Sequence, residues 1–345
     1  MIKLIQMKYL SFLLIAFTAL LLSCSKSDPA NEAIVPSNLN VTATVSTDNS
    51  GNVAFAASAT NAVTYDFDYG NGVFQTVASG IVTYKYPSTG TYTVNVIAKS
   101  STGNTISKTV QVTVTVAMSL VWSDEFNTAG APDPAKWGYD LGAGGWGNAE
   151  LQYYTNRPEN AVVQGGMLKI HALKENFSGS AYTSARLLSK GKFSFKYGKV
   201  EALAKLPAGV GTWPAIWMLG NNISTAGWPN CGEIDIMEHK GSELNKIYGT
   251  LHYPGHSGGN ADGSTKIISN ATTEFHKYSM EWSAAFIKIY VDDQLFHTFS
   301  NSASVPFNQE FFFILNVAMG GVFGGTVDPA FTNATMEIDY IRVYN

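Results

Sequence analysis

Apolar residues recur at every second position through most of this chain. From about Pro36 to Val116 the alternating runs are short: Leu39-Asn-Val-Thr-Ala-Thr-Val45, Thr91-Tyr-Thr-Val-Asn-Val-Ile97 and Val110-Gln-Val-Thr-Val-Thr-Val116. A period of two gives each strand one face for a core and one for water. Turn signals separate the runs, among them Asp48-Asn-Ser-Gly51, Asn71-Gly72 and Ser101-Thr-Gly-Asn104. The pattern predicts a small β-sandwich over 37–116. A second domain, 118–345, opens and closes on strand-like segments, Leu120–Asn127 and Met336–Tyr344, expected to pair as neighbours. Between them the alternation predicts strands at Val162–Gln164, Met167–Leu173, Ala181–Ser189, Phe193–Ala204, Ala215–Leu219, Glu233–Glu238, Lys246–Tyr253, His276–Trp282, Ala285–Val291 and Glu310–Ala318. No stretch sustains a 3.6-residue apolar period, so this domain is expected to be a large two-sheet jelly roll with little helix. The fold class is therefore all-β throughout.

One apolar run breaks the pattern. Lys3 and Lys8 precede an uninterrupted segment, Tyr9–Leu22, which is short for a membrane span but suits the hydrophobic region of a signal peptide. It ends Leu21-Leu-Ser-Cys24, which resembles the bacterial lipoprotein box. That resemblance implies cleavage before Cys24 and lipidation of its thiol, hence an exported lipoprotein at the outer membrane or cell surface, held to the membrane by lipid alone. Residues 1–23 are then a signal peptide and 24–36 a polar, flexible tether. Cys231 is the one other cysteine, so a lipidated Cys24 leaves it without a disulfide partner. As a nucleophile Cys231 would need a histidine base. His239 is near in sequence, but nothing else supports that role, and Cys231 reads as a packed small residue.

Charge narrows the function. With a net charge of −4 and 14% charged residues, the chain offers nothing to attract nucleic acid. Its acids concentrate in Trp228-Pro-Asn-Cys-Gly-Glu-Ile-Asp-Ile-Met-Glu-His-Lys-Gly241. Alternation points Glu233 and Asp235 to one face and Ile234 and Ile236 to the other. Like charges side by side add nothing to a structural strand, whereas glycosidic cleavage requires two carboxylates at a set separation. Strict alternation would turn Glu238 to the apolar face. If Met237 is the extra residue of a β-bulge, Glu238 returns to the acidic face, and deleting Met237 is then expected to misdirect it. Glu233 and Glu238 would stand about 13 Å apart at Cα, with carboxyl groups able to approach the roughly 5–5.5 Å of a retaining glycosidase.

Two family resemblances follow. Tyr65-Asp-Phe-Asp-Tyr-Gly-Asn-Gly72 with Tyr84-Lys-Tyr-Pro-Ser-Thr-Gly-Thr-Tyr-Thr-Val94 resembles a polycystic kidney disease (PKD) domain, an Ig-like sandwich, with Tyr65 where that family usually has Trp. The second domain resembles glycoside hydrolase family 16 in its laminarinase-like branch, whose fold is a concanavalin A-like jelly roll. Glu233-Ile-Asp-Ile-Met-Glu238 matches the bulged Glu-x-Asp-x-x-Glu signature. Gly145-Trp-Gly-Asn-Ala-Glu-Leu-Gln-Tyr-Tyr-Thr155, Gly198–Pro207, Thr212-Trp-Pro-Ala-Ile-Trp-Met-Leu219 and Phe275–Tyr278 with Trp282 follow in the family's order. The resemblance implies Glu233 as nucleophile and Glu238 as general acid/base; Asp235, between them, can hydrogen-bond Glu233 and fix its rotamer. Sugar rings present C–H faces that stack on indoles, so Trp146, Trp213, Trp217 and Trp228 are candidate sugar platforms, Trp213 and Trp217 sharing a face four residues apart on one strand. The resemblance implies Asn148, Glu150, Arg186, His252 and Asn316 as polar cleft residues. No cofactor serves the chemistry. A structural Ca²⁺ on Glu125, the Gly165 or Gly166 carbonyl and Asp339 matches the family's position and suits oxygen ligands.

The sequence thus reads as a monomeric, retaining endo-β-glucanase. Laminarin, a β-1,3-glucan, is the first substrate and mixed-linkage β-1,3-1,4-glucan the second. The alternatives are a member acting on another β-linked polymer such as agar, or a non-catalytic glycan-binding lipoprotein. The intact acidic triad weighs against the last.

Overall fold

A computed structural model describes residues 33–345; the expected lipoprotein signal, Cys24 and most of the expected tether lie outside the described residues. The chain divides into two units, with the boundary in sequence between Ala117 and Met118. The first comprises two sheets. Strands Ser37–Val45, Asn52–Thr60 and Ile81–Lys85 form one, and Phe74–Val77, Thr64–Asp68, Gly90–Lys99 and Thr105–Val114 the other. Their inward alternation buries Val53, Phe55, Phe67, Val94 and Val96 in a common core.

The second unit, Met118–Asn345, packs a ten-stranded sheet against a seven-stranded one. Alternation supplies the apolar layer between them, including Val200, Ala202, Ile216, Met218, Ile234, Ile236, Met280 and Leu315. The opening strand Leu120–Asp124 pairs antiparallel with the closing strand Asn333–Tyr344, as the sequence implies. The segment expected as one strand over 181–189 is instead two. Ser180–Ser184 belongs to the larger sheet and Arg186–Leu188 to the smaller, and the chain crosses the sandwich at the buried Ala185. Three residues of alternation cannot reveal a change of sheet, because both halves still put every second side chain into the one core.

The seven-stranded sheet carries the chemistry. Its order is Asp262–Ile267, Lys246–His252, Glu233–His239, Thr212–Gly220, Phe311–Met319, Arg186–Leu188 and Gly138–Asp140. The polar edge strand Asp262–Ile267 has no alternating apolar signal and escapes sequence reading. Where the Thr212–Gly220 strand ends, a Cβ built on Gly220 would lie 1.9 Å from the Cys231 carbonyl oxygen. Gly220→Ala is therefore expected to cost about 1–3 kcal/mol through overpacking, seen as a lower urea midpoint. A wild-type midpoint would mean that the 221–231 segment yields freely.

Candidate active site

The acid strand Glu233–His239 sits centrally, between Thr212–Gly220 and Lys246–His252. Its ladders slip on both sides. Against Lys246–His252, Asp235 faces Thr250 and Glu238 faces Tyr248, three steps against two. Against Thr212–Gly220, Met237 faces Ile216 and Asp235 faces Trp217, so Ile236 is passed over. The strand is bulged as expected, but the extra position is shared by Ile236 and Met237 rather than being Met237 alone. Both side chains are fully buried in the core with Ile234. Two successive inward residues turn Glu238 back to the face that bears Glu233 and Asp235.

That face floors a cleft of about 880 Å³. It gathers Trp146, Asn148, Glu150, Arg186, Trp213, Trp217, Trp228, His252 and Asn316 with the three acids. Trp213 and Trp217 share a face of their strand and use their indole N–H groups differently. Trp213 donates to Glu238 Oε1 at 3.0 Å, and Trp217 donates to Asn316 Oδ1 at 2.7 Å. Trp228, 48% exposed at the rim, donates to Glu233 Oε2 at 3.1 Å. The Arg186 guanidinium lies between two indoles, 5.1 Å from Trp146 and 4.8 Å from Trp217. It is also 3.0 Å from Asp140, off the line a hydrogen bond needs. Asn316 continues inward: its Nδ2 donates to Tyr154 Oη at 3.0 Å, and Tyr154 donates to Glu150 Oε2 at 3.1 Å. Gln152 and Asn148 also donate to Glu150, at 2.7 and 3.1 Å. The buried Glu150 carboxylate is thus satisfied by three donors, as burial of a charge demands.

His252 faces the acids with Nε2, 3.5 Å from Glu233 Oε1 and 3.2 Å from Asp235 Oδ2. Its Nδ1 accepts the Gly258 backbone N–H at 3.2 Å, which leaves the ring hydrogen on Nε2, toward the carboxylates. The expected hydrogen bond from Asp235 to Glu233 is corrected here: Asp235 Oδ2 turns to His252, although at an angle too poor for a regular hydrogen bond. Glu238 is held at both oxygens, by Trp213 and, at 3.2 Å, by the Thr250 hydroxyl. Thr250, Tyr248 and Phe323 line the cleft and were not legible in the sequence. They are ordinary sheet and loop residues whose role depends on what lies across from them.

Burial raises the pKa of all three acids, and like charge adds to it at Glu233 and Asp235. Glu233 is pushed up to about 8, first by burial and then by Asp235, with His252 opposing. Asp235, 3% exposed, is held well above its ordinary range by burial and then by Glu238. Glu238 is raised by burial, against the hydrogen bonds from Trp213 and Thr250. The folded chain therefore keeps protons that the unfolded chain has lost, and stability from these groups falls as pH rises from the ordinary carboxylate range toward about 8. Asp235→Asn should accordingly stabilise the fold progressively more between about pH 5 and pH 8. Melting curves of the two proteins across that range check this. A constant difference would assign the effect to something other than these protons.

Cys231 is fully buried, and burial pushes its thiol up to about 11, so it has no nucleophilic character. His239 points into the protein, on the opposite face from the cleft acids, and is fully buried. Glu125, an expected calcium ligand, is engaged by an arginine. Arg342 engages both carboxylate oxygens, Nε at 2.9 Å and Nη2 at 2.7 Å, so this acid is already neutralised. Asp339 stands at a register slip of the closing strand, and Gly166 lies in a Gly165-Gly166 turn with φ of 68° and 76°.

The cleft's likeness to known proteins is specific. A sequence model described as "Glycosyl hydrolases family 16" matches residues 148–342. Another, "Beta-glucan synthesis-associated protein SKN1/KRE6/Sbg1", matches residues 53–234 and stops short of Asp235. The beta-glucanase of Rhodothermus marinus is 48% identical over 241 residues, 65% of this chain and 84% of its own. The X-ray structure of the laminarinase from Rhodothermus marinus superposes with a TM-score of 0.64 at 47% identity, covering 66% of this chain and 98% of that one. A LamA variant from Z. galactanivorans, in complex with laminaritriose and laminaritetraose, gives a TM-score of 0.62 at 44% identity, covering 66% of this chain and all of that one. Since the first match spans more than half of the sequence and contains the whole acid strand, the chain belongs to family 16 of the glycosyl hydrolases.

Proposed function

We propose that this enzyme hydrolyses β-1,3-glucan internally and with retention, using Glu233 as nucleophile and Glu238 as acid/base. The observation that carries the reading is the bulge, which places two carboxylates at opposite ends of one strand, both facing the cleft and each held by an indole N–H. Three buried acids cannot all ionise. Asp235, the least exposed, takes a proton; its repulsion of Glu233 then disappears, and Glu233 is free to be the anion. A Glu233 oxygen bonds to the anomeric carbon as the bond to the departing sugar oxygen breaks, and the Glu238 proton passes to that oxygen. In the second step Glu238 takes a proton from water, whose oxygen bonds to the anomeric carbon and releases Glu233. The chemistry needs no cofactor.

Laminarin is the first substrate, in keeping with the relatives' names, and mixed-linkage glucan the second. Reducing-sugar release from laminarin, mixed-linkage glucan and agarose tests the order. Faster release from agarose would overturn it. The first unit is read as a PKD-type sandwich over 37–116, serving as a spacer or a weak carbohydrate-contacting module, and the protein as a monomeric, exported lipoprotein anchored through Cys24. Replacing Cys24 should move the enzyme from the membrane fraction to the soluble one, and retention in membranes would remove the anchor. For calcium, the oxygen donors are those of Glu125, the main chain at Gly165 or Gly166, and Asp339. A melting midpoint unchanged by chelator would discard the ion altogether.

A further inference from the structure

The segment after the Phe311–Met319 strand, Gly-Gly-Val-Phe-Gly-Gly over 320–325, is absent from the reaction described above, although it lines the cleft. It is closely fitted. Gly320, Gly321 and Gly325 have φ of 68°, 72° and 75°, where side chains are disfavoured. A Cβ on Gly321 would meet the Asn148 carbonyl oxygen at 2.7 Å, and one on Gly324 would lie 3.3 Å from Trp213 Cβ. Gly320 N–H donates to Gly211 O at 2.7 Å and Val322 N–H to Asn148 O at 2.8 Å. The segment is thereby tied to the start of the tryptophan-bearing strand on one side and to the cleft wall on the other.

What it delivers is the Phe323 ring. This ring packs 5.0 Å from Trp213, tilted by 39°, and 5.0 Å from Tyr248, nearly edge-on at 74°. The Lys240 ammonium caps it at 4.4 Å. Trp213 is the residue whose indole N–H holds Glu238 Oε1. An indole that donates a hydrogen bond along one line needs its two side-chain torsions held, and an aromatic neighbour on its flank is the usual means. We infer that Phe323 is a positioning residue for the general acid, bracing Trp213 so that its N–H fixes Glu238. This inference rests on the reading of Glu238 as acid/base.

General-acid help matters most when the leaving group is a sugar alkoxide and least when it is a stable phenolate. Phe323→Ala should lower kcat/KM on laminarin about tenfold or more, because sub-ångström misplacement of a catalytic group forfeits part of its effect. The pre-steady-state burst of dinitrophenolate from a 2,4-dinitrophenyl β-laminaribioside, which reports attack by Glu233, should stay within about twofold of wild type. Phe323→Tyr should restore laminarin hydrolysis, and Phe323→Leu repeats the comparison with apolar bulk kept if the alanine variant folds poorly. A parallel fall on both substrates, or no fall on laminarin, would overturn the brace. Glu238→Ala separates this failure from failure of the underlying reading. If Glu238 is the acid, its alanine variant spares the dinitrophenyl burst and loses laminarin; if both are lost together, Glu238 is not the acid and the brace falls with it.

Discussion

Glu233→Gln should abolish laminarin hydrolysis, with kcat reduced by about four orders of magnitude or more, as for loss of other enzymic nucleophiles. The amide keeps the shape of the side chain and can still meet Trp228, but it cannot form the covalent glycosyl ester. Because Gln is uncharged, it also relieves the buried cluster, so the variant should melt no lower than wild type at neutral pH. Loss of activity with stability retained is the signature of a chemical role. The wild-type enzyme should release the β-anomer first, visible by NMR before mutarotation, since two displacements at one carbon restore its configuration. An initial α-product would mean single displacement by water. Glu233→Gln with wild-type turnover would remove it from the mechanism.

Deletion of Met237 should leave an enzyme that folds, is less stable by about 2–5 kcal/mol, and still presents an acid to the cleft. The expected misdirection of the acid does not survive, because without Met237 the run is Glu-Ile-Asp-Ile-Glu and strict alternation keeps Glu238 on the acid face. With Met237 gone, Asp235 can face Trp217, Ile236 face Ile216 and Glu238 face Ala215 without a slip. On the other side Asp235 can face Thr250, one residue can face Gly249, and Glu238 can face Tyr248. Both partner strands already sit at the spacing of an unbulged strand. What is lost is a fully buried methionine from the core, and the cost is that of the cavity. Denaturant midpoints and laminarin assays of the deletion variant measure the two effects separately. Activity as low as that of Glu238→Ala would show that the bulge aims the acid, in addition to supplying core volume.

Much of this site is legible because its signals are local. The alternation across Glu233–Glu238 with one extra residue needs only the period of a strand, and so does the shared face of Trp213 and Trp217. The pairing of the first and last strands of the second unit follows from their patterns and from the closure of a sandwich. Sequence reading was less secure where geometry depends on residues far apart. Asp235 turns to His252, on the neighbouring strand, rather than to Glu233 two residues away. Glu125 meets Arg342, 217 positions later, an ion pair that alternation does not foretell.

The sequence by itself determined that the chain is all-β, that three carboxylates share a strand, and that Trp213 and Trp217 share a face of theirs, because side-chain direction in a strand follows residue count. Only the tertiary structure decided what surrounds each acid. The Asn316–Tyr154–Glu150 chain, the Thr250 hydroxyl on Glu238 and the Phe323 ring on Trp213 come from strands and loops brought together by packing. Burial and hydrogen bonding are properties of that assembled surface, and they set which carboxylate keeps its proton.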